Sequence, residues 1–286
     1  MKQREVSCMK KFLRGLLTIV LTFLLIALGI VLSFKTMLIN TADQMIKREM
    51  THQFINTMQE QNSEVDEEAI QKIKETIEKN ETIQDIMNTY FDQVIEILGS
   101  EEELKINITE DLNTLVDEGE KILKEYGITI TPAEKEELLD MVSMEEVNTL
   151  LNETLAEAKQ NLPEQIKEEI KIYQFVMGPT FKVMLCGVIL LDLLFIALLK
   201  KSAYKWLSNL GGSSLIVGLF TGFVIPFSID TLLKTLDNEN LFAVNTEALS
   251  TYGYVLIGIG IVAYVLEFTL KKTIEKKPIE TQKEQP

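Results

Sequence analysis

Residues 15–34 read GLLTIVLTFLLIALGIVLSF, twenty positions without a charge. A helix of that length rises about 30 Å, the depth of a bilayer's hydrocarbon core. Lys2, Arg4, Lys10, Lys11 and Arg14 precede it. A basic segment before an apolar one can also open a secretory signal. This run is longer than a typical signal core, and Lys35-Thr36-Met37 follow it instead of a small-x-small cleavage site. It reads as an uncleaved anchor.

Past Phe34 the pattern changes without stopping. Ile39, Ala42, Ile46, Met50, Phe54 and Met58 recur every three or four residues, so an amphipathic stalk is expected to continue to about Gln61. From Thr36 to Tyr173 there are 33 acidic and 12 basic residues, a net charge of −21; the whole chain carries −15, which leaves +6 elsewhere. An acidic aqueous domain on basic membrane flanks has this split. Such a domain repels nucleic acid and anionic headgroups, and any partner it attracts by charge is cationic.

Within the acidic stretch the apolar residues fall in one-sided helical stripes. Ala69, Ile70, Ile73 and Ile77 follow a start signal at Ser63 and Asp66. Ile83, Ile86, Met87, Tyr90, Phe91, Val94, Ile97 and Leu98 follow, with Gly99 expected as a left-handed cap. Thr109 opens a helix with Leu112, Leu115, Val116, Ile122, Leu123 and Tyr126, closed by Gly127. An extended piece at 128–130 precedes the capping sequence Thr131-Pro132-Ala133-Glu134, and Ser143 with Glu146 repeats the spacing. Val147, Leu150, Leu151, Leu155 and Ala158 continue the apolar face until Asn161-Leu162-Pro163 breaks it. Each stripe needs a partner, which implies an antiparallel helical bundle.

Three further apolar runs complete the plan. The expected fold class is an all-α membrane protein with four transmembrane helices and an extracytoplasmic antiparallel helical bundle between the first and second spans. The parts are a basic N-terminus at 1–14, span one at 15–34, the acidic domain at 35–174 and span two at 175–199. A turn at 200–206, span three at 207–229, a loop at 230–248, span four at 249–268 and a basic tail at 269–286 follow. Lysine and arginine concentrate in the N-terminus, the turn and the tail, so the positive-inside rule expects both termini in the cytoplasm of a multi-pass cell-membrane protein.

Candidate chemistry is sparse. His52 is the one histidine, and neither a P-loop nor H-E-x-x-H occurs. No catalytic, metal or cofactor site is assigned, and a non-enzymatic role is expected. Cys186 reads as a small buried hydrophobe, and Cys8 as an incidental thiol or an acylation site. Asn80, Asn107 and Asn152 open Asn-x-Thr sequons. Glu267 and Lys271 are spaced for a helix ion pair.

Two intramembrane features remain. Ser214, Gly218 and Gly222 form a small-xxx-small ladder suited to helix packing, either within the chain or with a second copy, and Pro226 implies a kink. Asp192 lies inside an apolar helix, where a carboxylate is costly and is a functional candidate. The reading is a scaffold or partner-binding protein acting through its acidic domain. Its partners are the lipid bilayer and another membrane or envelope protein, with a homo-oligomer possible and no nucleic acid. The alternatives are a subunit of a proton- or cation-coupled transporter or channel using Asp192, or an extracytoplasmic sensor signalling through a partner.

Overall fold

A helix satisfies backbone hydrogen bonds within one segment, which suits a chain with four long apolar runs. The computed structural model is helical, with no strand among the described residues. These are residues 2–61, 67–100, 105–125, 131–132, 144–200, 202, 204–236 and 244–276. The expected starts at Ser63 and Ser143, the Gly127 stop, the 128–130 piece, the capping residues Ala133 and Glu134 and the lysines from Lys277 onward lie outside them. So do the side chains of Cys8, Met50, Phe54 and Met58.

In order the helices are α1 (Lys2–Gln61), α2 (Glu67–Lys79), α3 (Thr82–Gly99), α4 (Thr109–Glu125), α5 (Met144–Asn161) and α6 (Glu164–Met177). Then come α7 (Pro179–Lys200), α8 (Leu207–Leu219), a π turn (Phe220–Val224), α9 (Ile225–Leu236) and α10 (Glu247–Lys276). Two units emerge: an apolar one, Met1–Met37 with Val176–Pro286, and an acidic one, Leu38–Phe175.

Among the described residues four stretches are long and apolar enough to cross a membrane, beginning at Met9, Pro179, Leu207 and Glu247; the first runs on past the apolar unit to Glu49, and the other three lie within it. Its core joins Leu21 and Leu25 of α1, Leu185, Ile189 and Ile196 of α7, Val217 of α8 and Leu256 of α10. Pro179 is the first residue of α7, where its missing N–H costs nothing, and Gly178 makes the bend before it. The irregularity near Pro226 is a π turn: the Ile225 N–H bonds Phe220 C=O, widening the helix just before the proline ring. The segment expected as a loop from Asp230 is helical as far as Leu236, with an Asp230–Lys234 ion pair at 2.7 Å.

α8 and α10 pack backbone to backbone. A Cβ on Gly253 would lie 2.5 Å from Gly222 Cα and 2.8 Å from the Gly218 oxygen. One on Gly260 would lie 3.0 Å from the Gly211 oxygen. In hydrocarbon, where apolar burial drives little association, such close approach is what holds helices together. α10 meets α1 through Tyr252, whose ring lies where a Gly29 Cβ would be and whose hydroxyl donates to Leu25 C=O at 2.6 Å.

The acidic unit departs from the sequence reading in three places. The buried face of α1 here is Ile39, Asp43, Lys47 and Thr51, while Met45 and Ile46 are exposed. Of the expected stripe Ile39 is buried, Ala42 half-buried and Ile46 exposed; the inward face continues through Asp43 and Lys47, with Lys47 Nζ reaching the Glu78 carbonyl near the end of α2. Gly99 is the last residue of α3 and not a left-handed cap; Ser100, in extended conformation, ends the helix. A Cβ at 99 would meet the amide end of the Gln174 side chain at 2.5 Å, so a larger residue there would have to displace it. Leu150 of α5 is exposed, because the neighbouring Asn148 and Asn152 turn towards residues 106–109.

Candidate functional site

Asp192 follows Leu185 and Ile189 and precedes Ile196 on the inward face of α7. It is 5% exposed, and its Oδ2 is buried without a hydrogen-bond partner. No lysine or arginine occurs in 15–34, 183–199, 207–229 or 249–266, so the spans supply no countercharge at this depth.

Hydroxyl groups line the adjoining helices. Asn209 of α8 donates to Thr18 Oγ1 of α1, and Thr22 Oγ1 donates to Ser213 Oγ at 3.1 Å. Both pairs advance by four residues, so α1 and α8 run parallel through this seam. Ser214, next to Ser213, is fully buried and its Oγ has no partner. The end of α7 is tied to the start of α8, with Lys200 Nζ donating to Ser208 Oγ at 2.9 Å and to Lys205 C=O. Asp192 is eight residues before Lys200 and Ser214 seven after Leu207, which places both about 11–12 Å from that end. Thr22 and Ser213 therefore face each other across α1 and α8, and Asp192 and Ser214 stand a similar number of residues from the turn that joins α7 to α8.

The other residues singled out from sequence are placed as follows. Gly218 and Gly222 are occupied within the chain by α10, against Gly253 and Ile257 for the first and Tyr254 and Gly253 for the second. Cys186 is exposed, one residue round α7 from the inward Leu185, which corrects its expected burial. Glu267 makes no ion pair with Lys271 among the described residues; it interacts electrostatically with Lys200, beside Arg14 and Lys205.

The sequon asparagines hold the acidic unit together. Asn152 accepts from Ile106 N–H and donates to Ile106 C=O, both at 2.8 Å, the pairing a neighbouring strand would offer. Asn148 accepts from Ile108 N–H at 2.9 Å and donates to Thr109 Oγ1 at 2.9 Å. Asn80 donates to Glu118 Oε2 at 2.8 Å, and Thr82 donates to the same oxygen at 2.6 Å. Those two bonds, Thr82 first, hold the Glu118 carboxyl below its usual range. Tyr90 donates to Asp111 and lies 3.1 Å from Asn107 C=O; burial first, then Asp111, raises its hydroxyl's pKa. The amide nitrogens of Asn80 and Asn152 are thus committed to folding, while Asn107 uses its oxygen to accept from Thr109 N–H at 3.0 Å.

Sequence reasoning missed two features of this unit. Ile106, outside every periodic stripe, is 2% exposed, and Asn148 with Asn152 at helical spacing was its one signal. The Asp43–Lys47 pair, 2.8 Å apart, is buried, with Lys47 Nζ also 3.4 Å from Glu78 C=O and Asp43 Oδ1 unpartnered.

No protein-family model, curated protein or solved structure matches this chain.

Proposed function

We propose that this is a multi-pass membrane scaffold whose acidic unit, held outside the cytoplasm, binds a basic region of another membrane or envelope protein without catalysis. The supporting observation is that charge divides where structure does. The stretch carrying −21 is Thr36 to Tyr173, and the separate unit is Leu38–Phe175. A soluble unit of that charge raises encounter rates with a basic surface, and the rate falls with ionic strength. Met45 and Ile46, exposed on α1, offer apolar contact beside it. Orientation follows from the positive-inside rule, with both termini and the 200–206 turn cytoplasmic.

Two measurements on the full chain test this reading. With Cys8 and Cys186 replaced by serine, a single cysteine at Thr131 is expected to react with an impermeant maleimide in intact cells. One at Ser202 is expected to react only after lysis. A photo-crosslinking amino acid at Met45 is expected to give one stoichiometric heterologous adduct whose yield falls as salt is raised. Adducts only with the chain itself, or a yield indifferent to salt, would reject the basic partner.

A further inference from the structure

We propose that the apolar unit binds one small monovalent cation of the sodium class between α1, α7 and α8, with Asp192 as its charged ligand and Ser214, Thr22 and Ser213 supplying neutral oxygens. Asp192 is 5% exposed and Ser214 fully buried, and each ends in an oxygen with no hydrogen-bond partner. An isolated carboxylate in an apolar core is among the most costly groups a protein can hold, and an unpartnered hydroxyl adds to that cost. The spans contain no basic residue at this level, so the compensating charge comes from outside the chain. At 5% exposure on the face of α7 that carries Ile189 and Ile196, Asp192 is closed to a lysine or arginine of another protein, and a bare ion is the smaller demand.

The donor set selects the ion. Carboxylate and hydroxyl oxygens are hard ligands, which suit alkali and alkaline-earth cations. One carboxylate neutralises one positive charge, so a divalent ion would leave a net charge in hydrocarbon. Among the described residues no three His, Cys, Asp or Glu gather to offset a second charge. Thr22 and Ser213 already bridge α1 and α8 at 3.1 Å, and their helices share one core cluster with the Ile189 and Ile196 that flank Asp192 on α7. This inference concerns the apolar unit alone and stands whether or not the acidic unit binds a partner.

The test uses the full chain in liposomes and the hydrophobic reagent dicyclohexylcarbodiimide, which modifies intramembrane carboxyls. Labelling of Asp192, read by peptide mass spectrometry, is expected to fall at least tenfold in sodium chloride compared with choline chloride at equal ionic strength. In detergent, sodium is expected to raise the melting temperature of the same protein. Ser214→Ala should shift the sodium concentration for half-protection upward by about tenfold, the loss of one hydrogen-bond-class contact to a charged group. Asp192→Asn should remove the thermal shift. Labelling that sodium, lithium and potassium all leave unchanged would overturn the proposal and assign Asp192 a proton alone. A sodium shift that survives in Asp192→Asn would overturn it too. Should Asp192→Asn fail to fold, the cation titration of the unmodified protein still decides.

Discussion

The two units solve the burial problem in opposite ways. In the apolar unit helices meet where side chains are missing: Gly211 and Gly218 of α8 and Gly222 of the π turn lie against Gly253 and Gly260 of α10. In the acidic unit they meet where polar side chains reach across: Asn152 to Ile106, Asn148 to Ile108, Glu118 to the Asn80–Thr82 turn, Gln174 to Ile95 C=O. The difference follows from the solvent. Lipid gives no driving force for associating apolar helices, so van der Waals fit between backbones must supply it. Water supplies the drive for the acidic unit, but its stripes are narrow and its sequence is charged, so specific hydrogen bonds fix the arrangement.

The sharpest way to break this comparison is to fill a glycine. Gly253→Leu places a side chain onto the Gly222 backbone, which cannot yield as a flexible side chain would. Loss of at least about 3 kcal/mol is expected, read as absence of folded monomer by size-exclusion chromatography in detergent. Gly258→Ala, with open space around it, is the control and should melt as the parent does. Equal damage from both would show that helix backbone freedom, and not the α8–α10 contact, is what glycine provides.

Next in size is the buried pair of the acidic unit. Lys47→Met leaves the Asp43 carboxylate buried beside the end of α2 and should cost about 3–5 kcal/mol. Adding Asp43→Leu should recover most of that loss in a double-mutant cycle read by chemical denaturation. A double variant no more stable than the single one would mean the pair does more than neutralise itself.

Asn152→Ala tests the polar clamp. It strands the N–H and C=O of buried Ile106, at a cost of about 2–3 kcal/mol. Amide hydrogen exchange at Ile106 should accelerate with it. Unchanged protection would place the stabilisation of residues 105–108 elsewhere.

The smallest expected effects are those of pH. Glu118 has its folded pKa depressed from 4.5, so its contribution is present above that value and is lost as pH falls through the lower folded one. Tyr90 has its pKa raised, so its contribution is complete below the unfolded value of about 10 and fades as pH rises beyond it. Glu118→Gln should flatten the acid limb of the stability profile, and Tyr90→Phe the alkaline limb.

Much of this was legible from the chain alone. A run of twenty uncharged residues, three more like it, and the segregation of acidic from basic residues depend only on local composition. Helical periodicity likewise gave the course of α1 beyond Phe34 and of α3. The same periodicity placed Ile39 inward but gave no sign that Asp43, Lys47 and Thr51 are buried and Ile46 exposed, because a helix's rotation about its axis is set by its neighbours. Lys47 found the Glu78 carbonyl near the end of α2, which no local pattern announces. The ladder of Ser214, Gly218 and Gly222 was visible, but its complement on α10 required two helices to be brought together in antiparallel register. Asp192 drew notice by its charge among apolar residues. That its Oδ2 is buried without a hydrogen-bond partner was a tertiary fact, since only the packed helices show which groups among the described residues reach it. Sequence thus determined what each segment is made of and which solvent it tolerates. Tertiary structure decided which faces meet and which polar groups are left unpaired, because both depend on residues far apart in the chain.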